Sequence, residues 1–155
     1  MKKAFLVSSA FLLLVITACN NADKKTGDIK HPMTKADSLE KDVLDGHDIA
    51  MPKSMKIPDL QKETKRLIDS LGKLPAKARE AAAPYKEKLE ALLKDLDYAS
   101  FAMDKWMEEY SFDSARDNIE QRIKYLTEEK IKVNKVKEVV LGSLAKADSI
   151  LKAKL

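Results

Sequence analysis

Between residues 85 and 110 the apolar side chains fall at Tyr85, Leu89, Leu92, Leu96, Ala99, Met103, Trp106 and Tyr110. Every step is three or four. Held for more than three heptads, that spacing puts all eight on one face of a single helix and requires another helix to cover it. A strand would alternate at period two, and no such alternation occurs anywhere in the chain. Composition agrees: 35% of the residues are charged and 6% aromatic, with four Gly and five Pro. Chains of this kind form long charged helices rather than sandwiches, propellers or dinucleotide-binding folds. At 155 residues the expected number of folded domains is one.

Two further seams flank the first. Leu39, Val43, His47, Ala50 or Met51, Ile57, Leu60, Leu67 and Leu71 share one helical face. Pro52 and Pro58 each remove an amide donor and crowd the preceding turn, which predicts a kink between Met51 and Pro58. Gly72 and Pro75 stop this helix. The next helix starts either at Pro75 or at Pro84, since proline suits a first turn and kinks an interior. Ser111, Asp113 and Ser114 supply caps before a third helix. Its seam reads Ile119, Ile123, Leu126, Val133, Val140, Leu144, Ala147 and Leu151, with Lys130 and Lys137 interrupting one track. Glu120, Lys124, Glu128 and Lys132 form an alternating charged stripe on an exposed face. The fold class is therefore all-α: three antiparallel helices over about 36–71, 75–110 and 113–150, each about 55 Å long. They make an up-down-up bundle resembling an antiparallel coiled coil, within a domain spanning 36–155.

The N-terminus gives an address. Lys2 and Lys3 precede an apolar run from Ala4 to Val15, too short to span a bilayer, followed by Ile16-Thr17-Ala18-Cys19. That ending resembles the bacterial lipobox. The resemblance implies cleavage of residues 1–18 and lipidation of Cys19, the only cysteine, which would leave no free thiol. It also implies an extracytoplasmic protein held in the membrane by its lipid, and Asn20 after the cysteine leans toward the outer membrane, facing the periplasm. Residues 19–35 are polar, with Gly27 and Pro32, and read as a flexible tether. Fifteen such residues reach roughly 20 Å. The formal charge of +4 includes Lys2 and Lys3, so without the leader no basic patch remains that would point to nucleic acid.

No catalytic pattern is present. The chain lacks G-x-S-x-G, H-E-x-x-H and a P-loop, has no C-x-x-C-H, and carries Leu44 where a di-iron bundle would place Glu three residues before His47. The expectation is no enzyme and no cofactor, but a helical module that binds or scaffolds an envelope protein partner. One constellation offers another reading. His47, Met51 and Met55 lie on the first helix, and Met103, Trp106 and Met107 on the second. Thioethers and imidazole suit Cu(I) or Ag(I), so His47, Met51, Met103, Trp106 and Met107 are the candidate ligands. The same residues also serve as ordinary core, because Met fills irregular space near a proline kink. Register separates the two readings. If opposed positions on the first two helices sum to about 146, Met51 faces Asp95 and the clusters lie about 12 Å apart. If Pro84 starts the second helix opposite Gly72, they sum to about 156 and the clusters meet.

The stretches His47-Asp48-Ile49-Ala50-Met51-Pro52-Lys53 and Asp97-Tyr98-Ala99-Ser100-Phe101-Ala102-Met103-Asp104-Lys105-Trp106-Met107 resemble a family of small Bacteroidota lipoproteins. Those proteins pair an H-D-x-x-M-P-K segment with a later A-M-x-x-W-M segment. They sometimes carry the label "viral A-type inclusion protein", which reflects coiled-coil similarity. The resemblance runs from about Asp45 to Leu151, with departures at Ser54 and Pro58. It implies an extracytoplasmic helical lipoprotein and brings no activity.

Overall fold

The computed structural model describes residues 32–152. Cys19, the leader and most of the tether lie outside the described residues. α1 spans Lys35–Ser54. Thr34 caps it: its hydroxyl accepts from the Asp37 amide at 3.1 Å, and the Asp37 carboxylate accepts from the Thr34 amide at 2.9 Å. α2 spans Ile57–Gly72, so the kink falls inside the stretch between Met51 and Pro58. Pro58 has no amide to offer the Ser54 carbonyl. The Lys56 amide instead turns back to Lys53 O at 3.1 Å, and the Ser54 hydroxyl donates to Met51 O at 2.8 Å. Pro58 then sits in the first turn of α2, where no donor is needed.

The bend does not interrupt the seam. Ala36, Val43, Ala50, Ile57, Thr64 and Leu71 are all buried, each seven residues after the last. Thr64 tolerates this position because its hydroxyl donates to Leu60 O at 2.7 Å. α3 spans Ala76–Glu109 and carries Pro84 inside it, so the helix starts just after Pro75. Pro84 is exposed, and the Glu80 carbonyl that loses its partner lies on an exposed turn. The seam from Leu89 to Trp106 is buried throughout, at Leu89, Leu92, Leu96, Ala99, Met103 and Trp106. Each of its fully buried leucines contributes about 1.5–3 kcal/mol by leaving water.

α4 spans Ile119–Lys152 and starts six residues later than its sequence suggests. Ala115 adopts a positive φ of 55°, and the intervening loop ends at Asn118, whose side chain accepts from the Gln121 amide at 3.0 Å. The seam of α4 also differs from the apolar reading. Its buried residues are Arg122, Leu126, Glu129, Val133, Val136, Val140, Ser143 and Ala147, in strict steps of four and three. Ile119 is exposed instead.

α4 runs parallel to α1 and antiparallel to α3. The first relation follows from Arg122 pairing with Glu40 and Lys130 with Asp42. The second follows from Trp106 meeting Glu129 while Asp95 meets Ser143 and Lys146. α2 is antiparallel to α3, with Gln61 donating to Asp97 at 2.7 Å. The result is an all-α, up-down-up bundle of three helices, the first of them bent into α1 and α2. α1 packs chiefly on α4, and α2 chiefly on α3. α1 approaches α4 closely at Gly46, where an added Cβ would lie 2.9 Å from Val133 Cγ1.

Candidate functional site

The His/Met and Met/Trp stretches meet. The His47 ring lies 5.7 Å from that of Trp106, and Met51 and Met103 line one pocket of about 240 Å3. This is the register with sums near 156, although Pro84 does not start the helix. The shift has another cause. Residues 76–81 of α3 are exposed throughout, and Leu71 at the end of α2 clusters with Ala82 and Leu89. The first turns of α3 therefore stand clear of α2, which moves every later pair along.

The five candidates take different positions. Met103 is buried at 1% exposure, Trp106 is buried, Met51 and His47 are half-buried, and Met107 is exposed. Met55, which the two proline-flanked turns of the kink carry outward, lines the same pocket as Met51 and Met103. His47 Nδ1 lies 2.9 Å from the carboxylate of Asp48. Among the described residues no group of three or more His, Cys, Asp or Glu is arranged to hold a metal ion, so any metal here would depend on thioethers.

Trp106 begins a polar and aromatic layer that closes this end of the bundle. Its indole N–H donates to Glu129 at 3.0 Å, and the other Glu129 oxygen accepts from Lys132 at 2.8 Å. That contact raises the Lys132 ammonium above its usual range. Trp106 stacks on Tyr110 at 5.0 Å, and Tyr110 meets Tyr125 at 6.2 Å and Phe112 edge-on at 4.9 Å. The Tyr110 hydroxyl is buried without a hydrogen-bond partner among the described residues. Burial, reinforced by the Glu40 carboxylate, pushes its ionisation upward. Arg122 anchors the layer: it lies 3.1 Å from Glu40, donates to Ser114 O at 2.9 Å and sits 5.8 Å above Tyr125. Arg122 and Glu129 elude a search for apolar steps. The signal that would have found them is their seven-residue spacing with Val136 and Ser143.

On the outer side of Trp106, α3 and α4 leave a groove of about 240 Å3. Its apolar floor is Ala102, Trp106, Val136 and Val139, and Tyr98 and Phe101 stand at its edge, 52% and 58% exposed. Lys105, Lys132 and Lys135 border it against a single carboxylate, Glu109. Lys135 has no ion pair among the described residues, whereas Lys105 lies 3.7 Å from Glu109. The apolar seams do not reveal this groove because Tyr98 and Phe101 lie off them, although both stand in the stretch that carries the family resemblance. Their three-residue spacing beside Lys105 is the feature that marks it.

Among the described residues no helix is long and apolar enough to cross a membrane. No protein-family model, curated protein or solved structure matches the chain.

Proposed function

We propose that this chain is a lipid-anchored envelope protein whose helical domain binds a partner protein in the α3–α4 groove and performs no catalysis. The observation that carries the reading is the exposed pair Tyr98 and Phe101 above an apolar floor, with three lysines on the border. Exposed aromatic side chains set over a concave apolar surface are the usual anchors of protein recognition. The lysines favour an acidic segment that brings an apolar side chain to the floor and carboxylates to the rim. Cys19 and the polar tether support the membrane part of the proposal: a lipidated cysteine would hold the bundle near the bilayer, and the tether would let it search a short distance around its anchor. The envelope location, with the outer membrane and its periplasmic face favoured, rests on the same residues.

A photo-crosslinking amino acid in place of Phe101, in the full-length membrane-anchored chain, tests this reading. An adduct is expected there and not at Lys62 on the exposed surface of α2. It should disappear when Lys132→Glu and Lys135→Glu are added, and the captured peptide should be acidic. Absence of an adduct, or one indifferent to the charge reversal, would contradict the proposal.

A further inference from the structure

We infer that Met51, Met55 and Met103 form a three-thioether site for a monovalent coinage-metal ion, Cu(I) in the envelope and Ag(I) as its redox-stable probe. This goes beyond the binding groove, since it uses a different face of α3. Met51 lies in the last turn of α1 and Met55 directly after its end, four residues apart, and α3 brings Met103 to the same pocket. The pocket exists because of the kink: Ser54 and Pro58, whose missing amide interrupts the helix, are part of its wall. Methionine usually fills such irregular space. Here the pocket stays open, and Met55 remains 72% exposed at its mouth while Met103 is buried beneath.

The chemistry of the wall is selective. Thioethers are soft and uncharged, so they favour d10 monovalent ions over Zn(II), Mg(II) or Ca(II), which prefer imidazole, thiolate or oxygen. No thiolate lies among the described residues, and the one carboxylate in the wall, Asp104, can balance a single positive charge. The Ser54 hydroxyl, which donates to Met51 O at 2.8 Å, also lies 3.6 Å from Met51 Sδ, so that sulfur sits at the polar side of the pocket. His47 is one turn back along α1, packed on Trp106 and beside Asp48, and is absent from the pocket wall. The site is thus narrower than the sequence candidates: Met55 joins it, and His47, Trp106 and Met107 stand outside. Trp106 lies one turn along α3 from Met103, close enough for its emission to report a heavy ion.

The test uses the full chain with Cys19→Ser in detergent, so that no free thiol competes. Titration with Ag(I), followed by calorimetry and Trp106 emission, should show one ion per chain with quenching. Met55→Leu should weaken binding at least tenfold, and Met51→Leu with Met103→Leu should abolish it. Met107→Leu and His47→Gln should leave it unchanged. Leucine conserves volume, so circular dichroism should show that each variant keeps its fold. X-ray absorption at the silver edge should find sulfur neighbours only. Failure to bind stoichiometrically, equal affinity in Met55→Leu, or loss of binding in His47→Gln would overturn the assignment.

Discussion

Two glycines in helix interiors should respond to alanine with opposite signs. Alanine is favoured over glycine inside a helix by about 1 kcal/mol. At Gly142 an added Cβ meets nothing within 4 Å among the described residues, so Gly142→Ala should gain that ~1 kcal/mol in full. At Gly46 the new Cβ would sit 2.9 Å from Val133 Cγ1. Val133 is fully buried, and its branched side chain has one preferred rotamer on a helix, so it cannot swing aside. Relief requires α1 and α4 to separate, an overpacking cost of about 1–3 kcal/mol. The net change in Gly46→Ala is therefore a loss of up to ~2 kcal/mol, and the two variants should differ by about 1–3 kcal/mol. Urea unfolding of residues 20–155, followed by circular dichroism, measures both. A second arm isolates the contact: in a Val133→Ala background, Gly46→Ala should become stabilising. A Gly46→Ala variant that stabilises the parent as much as Gly142→Ala does would refute the Gly46–Val133 clash.

Leu96→Ala, at the centre of the α3 seam and fully buried, should cost about 2–5 kcal/mol in the same assay; a loss below about 1 kcal/mol would show that the face is not core. Tyr110→Phe deletes a buried hydroxyl without a partner and should stabilise the fold by ~1 kcal/mol. Because the folded chain holds the Tyr110 proton to higher pH than the unfolded chain does, its contribution to stability is level below pH 10 and falls as pH rises above that value. The variant should lose part of that alkaline sensitivity in pH-dependent melting. Glu129→Leu strands the buried Trp106 N–H and should cost about 1–3 kcal/mol, with a blue shift in Trp emission, whereas Glu129→Gln keeps an acceptor and should cost less.

The seam of α3 was legible because its apolar residues follow helical spacing without a gap and the helix continues through Pro84. The kink was legible because proline acts locally, whatever the tertiary context. The seam of α4 was not: Arg122, Glu129 and Ser143 occupy buried positions that apolar periodicity skips, and each is admitted by a partner on another segment, Glu40 and Ser114 O, Trp106, and Asp95 O. The start of α4 was misplaced because Ser111, Asp113 and Ser114 are good capping residues, yet Asn118 supplies the cap that forms. In the candidate site, the meeting of the Met stretches depended on register. Register follows from how far α3 extends past the end of α2, a distance set by a three-residue connection that carries no periodicity of its own. Met55 and the Tyr98–Phe101 pair gain their roles from which neighbours the bend and the α3–α4 crossing leave them, and that information is spread over the whole chain.

The most direct test of the account is the intact mass of the protein extracted from bacterial membranes. A lipid-anchored binding module requires a chain that begins at Cys19, with a diacylglycerol on sulfur and an acyl group on the new amino terminus, and it should partition into the detergent phase. Cys19→Ser should leave the leader attached or release an unlipidated chain, with the circular dichroism of the bundle unchanged. A wild-type chain that retains Met1, or that begins near residue 19 without added lipid and stays in the aqueous phase, would contradict the account.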